Sequence, residues 1–132
     1  MQSIKSANLG LRFLLEVAAL VALGAWGRTL GQGIVGILTM LAVPAAAAAL
    51  WGIFRTPGDA SSAGGAPVAV PGALRLLLEA GMFGGAVLAL LAVSRPVLAA
   101  VLGGLIALHY LVAYERVPWL LRQNPWQRRE TP

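Results

Sequence analysis

Cysteine is absent from the 132-residue sequence, and charge is scarce: five acidic side chains, ten basic ones and one histidine. Without cysteine there is no disulfide frame, no thiolate metal site and no thiol nucleophile. One histidine and a few carboxylates leave too few ligands for a metal centre, and no cofactor is expected. The shortage of charge excludes more. Charged residues make up 11% of the chain and apolar residues 58%, with a mean hydropathy of +0.78. A soluble domain is about 25% charged, and one this small has much surface to cover for its volume. The medium facing most of this chain is therefore lipid. The net charge of +5 comes from nine Arg and one Lys scattered between apolar runs. No basic and aromatic face can be assembled from them for nucleic acid, so anionic lipid headgroups are the expected partner.

Four apolar stretches remain, at about Leu9–Trp26, Gly33–Phe54, Gly72–Val93 and Pro96–Tyr114. A hydrocarbon core of ~30 Å takes about 20 helical residues. Lipid offers no partners to backbone groups, and the alternating pattern of a barrel strand is missing, so each stretch is expected to be helical. Gly27–Gln32 and Ser94-Arg95 are short enough to make two tight helical hairpins, with Pro96 suited to the first turn of a helix. The expected fold is all-α, an integral membrane four-helix bundle over residues 1–115. Residues 55–71, rich in Gly, Pro, Ser and Ala, read as a flexible aqueous linker. Residues 116–132 read as a basic, Trp-containing tail lying on the membrane surface.

Four crossings put both termini and the linker on one side. That side carries Lys5, Arg12, Arg55, Arg75, Arg116, Arg122, Arg128 and Arg129, and the other only Arg28 and Arg95. The positive-inside rule then makes both termini cytoplasmic. Trp26 and Trp51 fall near opposite interfaces and Trp119 and Trp126 in the tail, positions that suit interfacial anchors. Glu16 interrupts the first apolar stretch and no small-residue cleavage site follows, which argues against a cleaved signal peptide.

Leu11-Arg12-Phe13-Leu14-Leu15-Glu16 recurs as Leu74-Arg75-Leu76-Leu77-Leu78-Glu79, with five of six residues identical at an offset of 63. Each copy opens an odd-numbered span from the same side, which predicts a parallel repeat of two hairpins. Arg and Glu four apart share a helical face. A carboxylate about 10 Å inside a span is costly against lipid and should face the bundle interior. Two-fold pairing would let Arg12 reach Glu79 and Arg75 reach Glu16, a four-charge ring, with His109 at a similar depth and Tyr110 beside it. Such a ring either fixes the helices in register or forms a protonatable or ion-binding centre. Gly24, Gly27, Gly81, Gly84, Gly85, Gly103 and Gly104 permit close helix contact; a lone four-helix bundle has little room for both a pathway and its walls, so a transport role would favour a homodimer. Pro44 predicts a kink in the second span.

Asn8-Leu9 with Leu11–Glu16, then Pro44, Trp51-Gly52-Ile53-Phe54 followed by Pro57, and the Arg75–Glu79 stretch make the sequence resemble the YrdB-like family. The likeness covers about residues 8–112. It implies a small four-helix bacterial membrane protein, hence the cell (inner) membrane, and brings no activity. Two functions follow from the charges: a proton- or cation-coupled transporter or channel using Glu16 and Glu79, or an accessory subunit of a larger membrane complex in which the Arg/Glu pairs are structural. No catalytic residue is expected. Ser94 lies far from His109, and carboxylates beside Arg are weak bases.

Overall fold

The structure is a computed structural model and describes residues 2–59 and 67–126. It is mostly helical, running α1 (Gln2–Arg28), α2 (Gly33–Ile53), β1 (Phe54–Arg55), β2 (Val68–Ala69), α3 (Gly72–Ala92), α4 (Pro96–Val112) and α5 (Arg116–Leu121). Among the described residues, three helices are long and apolar enough to cross a membrane: α1 from Ser6, α2 and α3. The fourth expected span is shorter than Pro96–Tyr114. It has 17 residues and ends at Val112, because a turn at Ala113–Glu115 starts α5, a helix the sequence reading does not foresee.

The buried stripe of α1 is Arg12, Leu15, Ala19 and Ala22, and that of α3 runs Gly72, Arg75, Glu79, Met82, Phe83, Ala86 and Ala89. Both follow the three-and-four spacing of one helical face. Leu15, Ala19, Ala22, Met82, Phe83 and Ala86 meet Leu102 of α4 in a single core. Alanine at three of these positions allows α1 and α3 to approach closely. Phe13, Val21, Ile34, Leu77, Val97 and Leu111 point outward, an exposed apolar surface far beyond that of a soluble monomer and suited to lipid.

α2 lies outside this core, packed chiefly on α1, with only Gly36 buried. The contact rests on small residues. Thr39 donates its hydroxyl to the Gly27 carbonyl at 2.5 Å. Pro44 removes the donor that the Met40 carbonyl would have had, and a Cβ on Gly24 would stand 3.2 Å from that oxygen. Pro44 thus serves the α1–α2 contact. A Cβ on Gly27 would run into the Thr39 carbonyl and come to 3.2 Å from Val43. Gly27→Ala is expected to cost about 1–3 kcal/mol as overpacking, read as a lower unfolding midpoint in detergent. Gly81→Ala, with nothing within 4 Å of its Cβ, should match or slightly exceed the parent, since alanine is the better helix former.

The α3–α4 turn is a Schellman motif. Arg95 N–H reaches the Leu90 carbonyl at 2.8 Å and Ser94 N–H the Leu91 carbonyl at 3.1 Å. Ser94 holds the left-handed position at φ 63°, and Pro96 opens α4 in the next turn.

The expected flexible linker is ordered at both ends. β1 pairs in parallel with β2, Phe54 opposite Val68 and Arg55 opposite Ala69. Thr56, Asp59 and Val70 are buried, and the Thr56 hydroxyl donates to the Val70 carbonyl at 3.0 Å. Buried backbone groups must find partners, and here the two linker ends supply each other's. Residues 60–66 of the linker, and Arg128 and Arg129 of the tail, lie outside the described residues.

Candidate functional site, a buried charge centre

α1 and α3 begin, and α2 and α4 finish, at the same end of the molecule, with α5 laid across it. The core stripes of α1 and α3 carry their charges at this end, and these charges meet around Glu79. Its Oε1 lies 2.7 Å from Arg12 Nη2 and accepts bonds from Arg116 Nη1 and the Tyr110 hydroxyl, both at 2.8 Å. Its Oε2 accepts from Arg116 Nη2 at 2.9 Å and lies 3.9 Å from Arg75 Nε. Glu79 and Arg75 are fully buried and Arg12 nearly so.

Arg116 bridges inward and outward. The same guanidinium that holds Glu79 donates Nε and Nη2 to Asp59 at 2.8 and 2.6 Å. Burial is the largest influence on Arg116 and acts against its charge. The hydrogen bonds to Asp59 and Glu79, with their charges, outweigh it and hold the pKa above the ordinary arginine value. A raised cation pKa contributes stability that is present at all pH below the ordinary value, so Arg116 stays charged throughout the working range.

Glu16 sits at the margin. Its Oε1 accepts from Arg12 Nε at 3.2 Å and from Trp51 Nε1 at 3.0 Å. The Trp51 ring has Arg75 over it at 4.1 Å and Arg12 at 5.0 Å, cation–π contacts that hold both guanidiniums in place. Arg75 Nη1 also donates to the Trp51 and Phe54 carbonyls at 2.7 and 2.8 Å. Arg12 Nη1 lies 3.3 Å from His109 Nε2. A guanidinium only donates, so Nε2 accepts and Nδ1 carries the proton, which it donates to Asn8 Oδ1 at 3.0 Å.

All five residues of the expected cluster, Arg12, Glu16, Arg75, Glu79 and His109, come together. The ring does not close as expected. Arg12 reaches Glu79, but Arg75 makes no ion pair with Glu16 among the described residues; Trp51 stands between them and serves both. Trp51 is thus a wall of the charge centre. Trp119 packs over Gly58, whose φ is +83°, and Trp126 donates to the Ala69 carbonyl at 2.9 Å. Trp26, at the far end of α1, is partly exposed. Sequence reasoning missed Asp59, Arg116 and Asn8. The available signals were weak: Asp59 is the one acid between Arg55 and Arg75, and Arg116 is the first cation after the fourth apolar stretch.

Three guanidiniums, Arg12, Arg75 and Arg116, face three carboxylates, Glu16, Glu79 and Asp59. The centre is formally neutral, which a low-dielectric setting requires. Among the described residues, no group of three or more His, Cys, Asp or Glu side chains could hold a metal ion.

A family described as "Protein of unknown function (DUF2568)" matches residues 10–107 of the chain. The chain belongs to that family. The chain is also 37% identical over 123 residues to "Uncharacterized protein YrdB" of Bacillus subtilis (strain 168), a match covering 93% of this chain and all of that protein. No solved structure matches. The family's stretch contains Arg12, Glu16, Trp51, Asp59, Arg75 and Glu79, and stops short of His109, Tyr110 and Arg116.

Proposed function

We propose that the chain is a non-catalytic, four-pass protein of the bacterial cell membrane, serving as an accessory or assembly subunit whose charge centre fixes its helices and surface segments in one arrangement. The crowding of Glu79 by cationic donors carries this reading. Its two oxygens are engaged by Arg12, Arg116 and Tyr110, with Arg75 beside them. A carboxylate that loads and releases a cation needs an open approach, and three guanidiniums crowd this one.

Four crossings are supported by where α4 ends. The bonds of His109 with Asn8 and Arg12 bring its last turn back beside the start of α1. Its 17 residues reach about 25 Å, a modest mismatch with a ~30 Å core that local thinning absorbs. Eight of the ten Lys and Arg then lie on the side of both termini, the cytoplasmic side. Tyr114, Leu121, Arg122 and Trp126 are exposed at that end and suit an anionic headgroup layer.

Purification in mild detergent with identification of co-purifying chains tests the reading. A membrane partner in fixed ratio is expected, as is the absence of ion flux in vesicles containing the purified chain under a pH gradient. A clean homo-oligomer that moves protons or cations would overturn it in favour of a transporter. One observation favours that second reading, the open oxygen of Glu16.

A further inference from the structure

A groove of about 440 Å³ runs between α3 and α4. Leu76, Ala80, Gly84 and Val87 supply one wall and Gly103 and Ile106 the other, each set at the spacing of one helical face. Small residues hold it open. Gly84 has nothing within 4 Å of where a Cβ would stand, and Gly103 has only Val87, at 4.0 Å. Neither glycine therefore brings α3 and α4 together, although glycine is a poor helix former. Glu79 and Tyr110 line one end, where the Tyr110 hydroxyl is engaged by Glu79 at 2.8 Å. Val117 of α5 borders the same end. Exposed Arg122 stands five residues further on, about 8 Å along the helix. It makes no ion pair among the described residues.

A groove on a lipid-facing surface does not stay empty, since its walls would forfeit their dispersion contacts. Its width decides what fills it. Leu76 to Val87 covers about 16 Å of helix, over which the volume amounts to a channel about 6 Å across, against about 10 Å for a helix with its side chains. A partner helix is too broad. A single extended hydrocarbon chain, whose carbons meet their neighbours at about 3.5–4.0 Å, fits. We propose that the α3–α4 groove holds one acyl chain of an anionic phospholipid, with the phosphate beside Arg122 at the α5 end. Charge complementarity sets the headgroup. Arg116 already holds Glu79 and Asp59, whereas Arg122 is open to an anion, and a basic residue at the surface favours anionic headgroups over zwitterionic ones. A second groove, of about 330 Å³ among Leu11, Ala18, Leu98 and Leu105, is wholly apolar and has no α5 residue at its border, so it has nothing to hold a headgroup. The inference rests on the four-pass arrangement proposed above, which puts the α3–α4 groove in the bilayer, and deepens it by naming a lipid partner. It does not depend on the accessory role.

The test is native mass spectrometry of the full chain, released from vesicles that contain phosphatidylglycerol and phosphatidylcholine in equal amounts. One phosphatidylglycerol per chain is expected to stay bound. Gly84→Leu should keep the unfolding midpoint, since its Cβ meets nothing and leucine is the better helix former. It should lose the bound lipid, because its side chain occupies the groove. Ala18→Leu, which fills the α1–α4 groove instead, should keep the lipid. Arg122→Gln should lower the preference for phosphatidylglycerol about fivefold, the factor that one basic residue contributes near an anionic surface. Equal retention by the parent and Gly84→Leu, an equal loss in Ala18→Leu, or retention of both lipids without preference would each overturn the proposal. So would a dimer or partner complex that Gly84→Leu alone dissociates, which would put protein in the groove. The four-pass arrangement is read separately. Ser94→Cys supplies the sole thiol of a chain without cysteine and should react with a membrane-impermeant maleimide added outside intact cells. No reaction would overturn that arrangement and the lipid site with it, whereas reaction without a retained lipid would overturn the lipid site alone.

Discussion

Glu79→Gln is expected to leave little folded protein. The substitution removes Arg75's ion-pair partner among the described residues and one of two partners each for Arg12 and Arg116, both within 3 Å of the carboxylate. Removing one partner of a buried pair costs about 3–5 kcal/mol, because the remaining charge stays buried and uncompensated. Total stability is only about 5–15 kcal/mol, so the loss takes a large share of the margin. The amide also places an N–H₂ group where one oxygen accepted, against Arg donors that can only donate. Unfolding midpoint and detergent-soluble yield would both report the loss. Arg116→Gln alone shifts the neutral centre to −1 and Glu79→Gln alone to +1, whereas the double variant restores neutrality. The double variant should therefore cost less than the sum of the two single changes, as coupled residues in one network do. Full additivity would mean that Arg116 and Glu79 do not act on each other.

The same electrostatics explain why part of the centre was legible in the sequence. Arg12, Glu16, Arg75 and Glu79 stand in apolar runs where lipid penalises charge, so their position alone marks them as inward-facing. The hairpins were legible too, since Ser94-Arg95-Pro96 leaves no length for anything but a tight turn. The pairing was not. The repeated hexapeptide suggests two equivalent exchanges, and the structure makes one. The residue 63 positions after Trp51 is Tyr114, which lies beyond the end of α4 and is exposed. The second half therefore has no ring to stand where Trp51 stands, and Glu79 turns to Tyr110 and Arg116 for donors. Arg116 reads as a surface charge because flanking cations usually are. Its stem is long enough to carry the head inward, and nothing in composition distinguishes a cation that dips from one that does not. Asp59 and Trp51 were hidden likewise: a lone acid in a Gly- and Ser-rich stretch reads as solvated, and a Trp at a span end reads as an anchor.

The second large effect is expected from a single methyl group. In Gly72→Ala, the new Cβ would be driven into the Leu120 backbone, whose carbonyl oxygen, carbonyl carbon and Cα are its three nearest atoms. Backbone cannot rotate away as a side chain does, so either α5 moves or the first turn of α3 does. The α3 turn is held by Gly72 N–H on the Gln123 carbonyl at 3.0 Å and by Arg75 N–H on the Pro71 carbonyl at 3.1 Å. α5, a helix of six residues, is the element that gives way. Its displacement would expose Leu120, which is fully buried, and draw Arg116 away from both Glu79 and Asp59. The cost should therefore exceed the about 1–3 kcal/mol of ordinary overpacking, since loss of the buried pair is added to it. Amide hydrogen exchange would show α5 and the 67–71 segment losing protection while the α1–α2 hairpin keeps its own. In an Arg116→Gln background the same methyl should cost less, because the pair it would break is already gone. An unchanged midpoint in Gly72→Ala would mean that α5 is not seated on α3 as described, and that the Arg116–Glu79 bridge has no packing beneath it.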